Sequence, residues 1–266
     1  MKVLIADKVS EKVVKALEGD GAEVKLNPDL SAESLPEAVG DSEVLVVRST
    51  RVTAQTIDAA PALALIIRAG AGVNTIDLEK ASARGICVAN CPGKNNHAVA
   101  ELALGLMISA DRRIPNATAA LRAGEWKKKE FAKARGLRGR VAGIVGLGTI
   151  GTAMAALCRG LGMTVAAWSR SLTPERAAEL ELEFCPDLGS LAERADAVSV
   201  HLALKPETRG IIGKEFFDRM RPGAIFVNTS RGEVVDTAAL SEAVEARGLR
   251  AALDVYDPEP AAGEAP

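Results

Sequence analysis

One segment constrains the fold more than any other. Val141-Ala142-Gly143-Ile144-Val145 is a short apolar run with strand character, Gly146-Leu147-Gly148-Thr149-Ile150-Gly151 follows without a gap, and residues 152–161 carry helical periodicity. Three glycines at this spacing mean little alone, but in strand–turn–helix order they commit the chain to a βαβ unit. Gly146 permits the tight turn, Gly148 lets a pyrophosphate approach the backbone, and Gly151 lets the helix pack against the strand. The helix N-terminus adds unpaired N–H groups and a partial positive charge. The turn, with Thr149 and Ile150 between its glycines, therefore reads as a dinucleotide site.

The rest of the chain repeats this alternation. Residues 3–6, 23–26, 44–47, 65–68 and 87–89 read as strands, with helical patterns at 10–18, 34–39 and 76–84 between them. A long helix is expected at 95–110, with Val99, Leu102, Leu106 and Met107 at helical spacing. A polar, basic stretch follows at 124–130. Regular alternation then resumes, with strands at 141–145, 164–168, 197–202, 224–228 and 251–255 and helices near 174–180, 214–220 and 237–247. Strands separated by helices imply parallel sheets covered on both faces. The expectation is an α/β protein of two doubly wound domains: a flavodoxin-like substrate domain over 1–94 and a Rossmann-type cofactor domain over 95–266.

Composition narrows the partners. Lys plus Arg number 33 against 35 Asp plus Glu, so no net field draws the chain to nucleic acid or a membrane. Aromatics are only 3%, which leaves little surface for stacking bases. The N-terminal apolar run is too short for a signal peptide, and 98–110 is too short to span a bilayer and carries Glu101. The expectation is a cytoplasmic protein. Cys87, Cys91, Cys158 and Cys185 lack metal-ligand spacing and read as reduced, buried thiols, with no metal site.

The strand after the glycine turn ends in Ser169-Arg170-Ser171, where an NAD site usually has a carboxylate for the ribose hydroxyls. Ser169 and Arg170 could instead meet a 2′-phosphate, which tilts the cofactor toward NADP and leaves NAD open. Arg231 lies just past a strand end in Asn228-Thr229-Ser230-Arg231-Gly232, a position suited to clamping a carboxylate and polarising a neighbouring carbonyl. The run from Leu253 to Pro260 brings Asp254 and Glu259 from another strand end.

Together these segments resemble the D-2-hydroxyacid dehydrogenase family, most closely its D-3-phosphoglycerate dehydrogenase branch. The resemblance extends along the chain through residues 47–53, 68–74, Ala100-Glu101, the glycine turn, Val200-His201, 228–232 and 253–260. It implies hydride transfer between C2 of a D-2-hydroxy or 2-oxo acid and the nicotinamide of NAD or NADP, in a cleft between domains. Arg231 would bind the substrate carboxylate, and Glu259 would hold and charge a catalytic histidine. Asp254 would lie by the nicotinamide, Thr229 and Ser230 would line that pocket, and Leu202 would lie near the ribose. The backbone of Gly70, Ala71, Gly72 and Val73 would hold a carboxylate, and Arg48, Arg51 and Arg68 a distal phosphate, although Arg48 could equally pair with a local carboxylate. The arginines make 3-phosphoglycerate the leading substrate. Relatives imply a homodimer or larger assembly, with the long helix and the loop from Trp126 to Phe131 at its interface.

The sequence departs from the family in one respect. The family's catalytic histidine follows the Glu-Pro by some twenty residues, whereas the only histidines here are His97 and His201, and neither matches it. The expectation is a C-terminally truncated chain, without the family's closing elements, that binds cofactor weakly and turns over little. The alternatives are a glyoxylate or hydroxypyruvate reductase, or a catalytically silent protein that senses NAD(H).

Overall fold

In the computed structural model, which describes residues 1–260, the alternation resolves into two parallel sheets, one in each of two compact units, Met1–Asn95 and Asn96–Pro266. The first unit runs β1 (Lys2–Ile5), α1 (Glu11–Gly19), β2 (Glu23–Leu26), α2 (Leu35–Val39), β3 (Val44–Val47), α3 (Ala54–Asp58), β4 (Leu65–Arg68), α4 (Leu78–Ala83) and β5 (Cys87–Asn90). Its strands lie in the order β2-β1-β3-β4-β5, the flavodoxin-like arrangement. β3 is buried at every position because both its faces are covered, by one cluster around Leu4, Leu45 and Ile66 and another around Ile5, Val44 and Val46. β5 lies at the sheet edge, and this corrects one expectation: Cys87 is exposed and Cys91 half-buried, while Cys158 and Cys185 are buried.

The second unit runs α5 (Asn96–Arg112), α6 (Ile114–Arg122), α7 (Lys128–Phe131), β6 (Val141–Val145), α8 (Thr149–Gly160), β7 (Thr164–Trp168), α9 (Pro174–Glu179), β8 (Glu183–Phe184), α10 (Leu188–Arg194), β9 (Ala197–Val200), α11 (Lys214–Arg219), β10 (Ile225–Asn228), α12 (Thr237–Arg247) and β11 (Arg250–Leu253). The strand order β11-β10-β9-β6-β7-β8 reverses direction between β6 and β9, as in a Rossmann sheet. β9 and β10 are buried throughout, and the two faces of the sheet carry separate apolar clusters.

Three local differences from the sequence reading have physical causes. α8 begins at Thr149, not 152, so Gly151 is inside the helix and the glycine turn supplies its first N–H groups. α5 packs on Ala100, Ala103 and Met107 while Leu102 is 42% exposed; small residues let it lie close to its neighbours. Beyond α5, Arg113 takes a left-handed conformation (φ 54°) and Pro115 opens α6, so a helix fills part of the stretch that had no element assigned.

Candidate functional site

The C-terminal edge of the second sheet brings together the turn after β6, Ser169-Arg170 after β7, His201-Leu202 after β9, Thr229-Ser230-Arg231 after β10 and Asp254 after β11. Ligands bind at this end of an open α/β sheet, at the point where strand order reverses. Here that point lies between β6 and β9.

Two glycines of the turn are required by close approaches. Gly146 has φ +91°, and a Cβ there would meet the His201 carbonyl oxygen at 2.6 Å and Leu202 Cδ2 at 2.9 Å. A Cβ on Gly151 would lie 2.0 Å from the Gly146 carbonyl oxygen. Gly148 differs, since nothing lies within 4 Å of its Cβ position. Gly148 is also the N-cap of α8, and no side chain caps the helix. By contrast Ser10, Thr53, Asp77, Thr173, Asp187 and Asp236 cap α1, α3, α4, α9, α10 and α12 with side-chain oxygens. The first helical bond of α8 runs from Thr152 N–H to Gly148, so the N–H groups of Thr149, Ile150 and Gly151 are left for an anion. Open space, uncapped donors and a glycine backbone fit a dinucleotide pyrophosphate.

Arg231 stands on a turn held by Asn228. The buried Asn228 side chain accepts from Ser230 N–H at 2.9 Å and from Ser230 Oγ at 2.7 Å, and its Nδ2 donates to the Arg231 carbonyl at 2.8 Å. Arg231 Nη1 donates to the Ser230 carbonyl at 2.6 Å. Asp254 N–H donates to the Asn228 carbonyl, and a Cβ on Gly232 would lie 2.2 Å from the Tyr256 carbonyl oxygen. The chain after β11 thus packs directly on the Arg231 turn. Asn228 and Gly232 lie in the motif that carries Arg231, but spacing alone gave no hint of their work as a clamp and a close-approach point. Glu259 is exposed and makes no ion pair among the described residues.

His201 is half-buried, and its Nε2 lies 3.0 Å from Ser199 Oγ. Burial pushes its pKa down to about 4, so the ring is neutral at pH 7. Its Nδ1 and the Thr229 hydroxyl are buried without a partner among the described residues, polar atoms of a kind that a polar ligand satisfies. His97 is exposed in the first turn of α5.

One expected side chain is otherwise engaged. Arg170 is not a free cation: its Nη1 lies 2.8 Å from Glu207 Oε1, so a carboxylate does stand where the sequence appeared to have none. Glu207 comes from the loop after β9, and with the pairing partner 37 residues away no local signal announces it.

In the first unit the corresponding sheet edge carries Arg48, Arg51, Arg68 and the loop from Gly70 to Val73. None of the three arginines makes an ion pair among the described residues. The carboxylate near Arg48 binds backbone instead: Asp7 Oδ2 accepts from the N–H groups of Arg48, Ser49 and Thr50 at 2.7, 3.2 and 3.1 Å. Arg68 Nε donates to the Arg48 carbonyl at 3.0 Å, and its guanidinium lies over Gly70, where a Cβ would meet Nη1 at 2.1 Å. Gly70 N–H donates to the Arg68 carbonyl, which removes it from the expected anion-binding set. The N–H groups of Ala71, Gly72 and Val73 have no acceptor among the described residues.

A doubly wound sheet with an uncapped glycine turn at its reversal point defines a dinucleotide-binding protein. Comparison with known proteins then gives the family. The profile of the D-isomer specific 2-hydroxyacid dehydrogenase NAD binding domain matches residues 104–266. The chain belongs to that family. D-3-phosphoglycerate dehydrogenase of Archaeoglobus fulgidus is 41% identical over 268 residues, and the Mycobacterium tuberculosis enzyme 43% over 260. These alignments cover 100% and 97% of this chain but 50% and 49% of the relatives, so the chain spans about half the length of the curated relatives it matches. Among solved structures, a Thermus thermophilus protein superposes with a TM-score of 0.89 at 35% identity, covering 98% of this chain and 83% of the other. D-Lactate dehydrogenase from Escherichia coli gives 0.85 at 28%, covering 97% and 83%. NAD(P) is the cofactor of the domain. No described helix is long and apolar enough to cross a membrane.

Proposed function

We propose that the chain acts as a D-2-hydroxyacid dehydrogenase, moving a hydride between NAD(P) and C2 of a 2-hydroxy or 2-oxo acid, with 3-phosphoglycerate as substrate. The observation that carries this is the Arg231 turn, fixed by Asn228 on the same sheet edge as the glycine turn. Two strand spacings separate β6 from β10, roughly 10 Å, which suits a reacting group beside an anchored cofactor. When bound, the nicotinamide supplies or accepts the hydride. Arg231 holds the substrate carboxylate through parallel N–H···O bonds and polarises the adjacent 2-oxo group. Thr229 and Ser230 line that pocket, Asp254 lies by the nicotinamide, and Glu259 is the carboxylate that would hold and charge an acid–base histidine. His201 does not take that part, because a ring held near pKa 4 carries no proton to give at pH 7.

In the first unit, the N–H groups of Ala71, Gly72 and Val73 form a nest suited to an anion. Arg48, Arg51 and Arg68, all without carboxylate partners among the described residues, favour a substrate with a distal phosphate. We also assign α6 and the loop from Trp126 to Phe131 to a contact with a second copy of the chain, since Ile114, Leu121 and Trp126 are 46, 60 and 76% exposed. A monomeric mass by light scattering would remove that assignment.

Calorimetric titration of the NADH-loaded chain tests the main reading. The phosphorylated 2-oxo acid corresponding to 3-phosphoglycerate should bind more tightly than glyoxylate, and Arg231→Ala should weaken both by roughly 10- to 100-fold. Equal affinities would overturn the substrate; undiminished binding in the variant would overturn the role of Arg231.

A further inference from the structure

The second strand of a dinucleotide fold delivers the residue that meets the adenosine ribose, and here β7 delivers Ser169 and Arg170 about twenty residues beyond the glycine turn. Taken alone, this end favours a 2′-phosphate. In the folded chain Arg170 faces Glu207, with Nη1 to Oε1 at 2.8 Å and the two side chains 70% and 51% exposed. The loop that carries Glu207 is a tied turn. Thr208 Oγ1 accepts from Lys205 N–H at 2.8 Å and donates to the Ala203 carbonyl at 2.7 Å, and Arg209 N–H closes on the Lys205 carbonyl at 3.1 Å. Glu207 is therefore presented to Arg170 by a short, internally bonded segment.

We propose that Glu207 is the specificity-determining residue that selects NAD over NADP, supplying from the loop after β9 the carboxylate that the end of β7 lacks. The proposal rests on the cofactor site read above. A 2′-phosphate carries about −1.5 to −2 charge at neutral pH and would have to take Arg170 from Glu207 while lying beside that carboxylate. A free ribose hydroxyl meets no such opposition, because it can donate to a carboxylate. Lys205, on the same turn, also acts electrostatically on Glu207. Glu207 thus pairs the Arg170 guanidinium that would otherwise attract the phosphate. Because the pair is exposed, salt screens it, and the discrimination should shrink as ionic strength rises.

Equilibrium binding of NADH and NADPH to the 266-residue chain, read by ligand fluorescence and by the shift in melting temperature, provides the test. The parent chain should bind NADH more tightly. In Glu207→Gln the ratio of NADPH to NADH affinity should rise roughly tenfold at low salt, and the rise should vanish in Glu207→Gln with Arg170→Ala. A parent chain that prefers NADPH, an unmoved ratio in Glu207→Gln, or a rise that survives loss of Arg170 would each overturn the proposal. Failure of the parent to bind either nucleotide would instead bring down the cofactor reading on which it rests. Both substitutions are at exposed side chains, and unchanged melting of the ligand-free variants checks that they fold.

Discussion

At the C-terminal edge of the first sheet, positive charge is carried by side chains: Arg48 and Arg51 are exposed, and Arg68 bends over Gly70 to reach the Arg48 carbonyl. At the same edge of the second sheet it is carried by backbone, in the uncapped first turn of α8 behind Gly148, while the cation nearest the expected ribose position is already paired with Glu207. The surroundings differ as well. Gly146 and Gly151 are buried and His201 titrates far below its usual range, whereas Arg48 and Arg51 of the first edge are exposed. A backbone site built on close approaches depends on shape and tolerates almost no added atom at Gly146 or Gly151. A side-chain site in water depends on charge and degrades gradually.

Substitution of Gly151 presses hardest on this contrast. In Gly151→Ala the new Cβ would lie 2.0 Å from the Gly146 carbonyl, so α8 must move off the turn. The expected cost is about 3 kcal/mol of stability, with NADH binding lost by calorimetry. Affinity within tenfold of the parent would show that the turn is not held by shape.

His201 tests the dryness of the second edge. Its folded pKa of about 4 lies below the ordinary 6.5, so between those values the unfolded chain binds a proton that the folded chain excludes. Stability from this group is therefore present above pH 6.5 and is lost as pH falls toward 4. By about pH 5 the parent should have lost roughly 2 kcal/mol more than His201→Gln, measured by urea unfolding from about pH 7.5 downward. Parallel profiles would mean that the histidine is solvated.

The smallest effect belongs to the first edge. Arg48→Ala should weaken the phosphorylated 2-oxo acid roughly fivefold, leave glyoxylate unaffected, and lose that difference in high salt. A larger, salt-insensitive loss would place Arg48 in a desolvated site and erase the distinction between the two edges.

The sequence carried much of this because local chemistry dictates it. Val44–Val47 and Ile225–Asn228 are inner strands with largely apolar character, and Gly146 and Gly151 stand where φ or a close approach demands glycine. Less legible were features that depend on what lies across a gap in sequence. Leu102 had helical spacing and is exposed, because it lies on the face of α5 opposite the buried Ala100, Ala103 and Met107. Cys87 lies on an apolar strand, yet that strand is an edge.

By itself the sequence determined the strand–turn–helix order, the glycine spacing and the position of Arg231 past a strand end, since each follows from backbone sterics and periodicity within a few residues. Only the tertiary structure decided that Gly70 N–H is spent on Arg68, that Asp7 binds the backbone rather than the side chain of Arg48, and that Glu207 neutralises Arg170. These pairings join segments brought together by sheet order, and a charge or donor has no fixed meaning until its partner is in place.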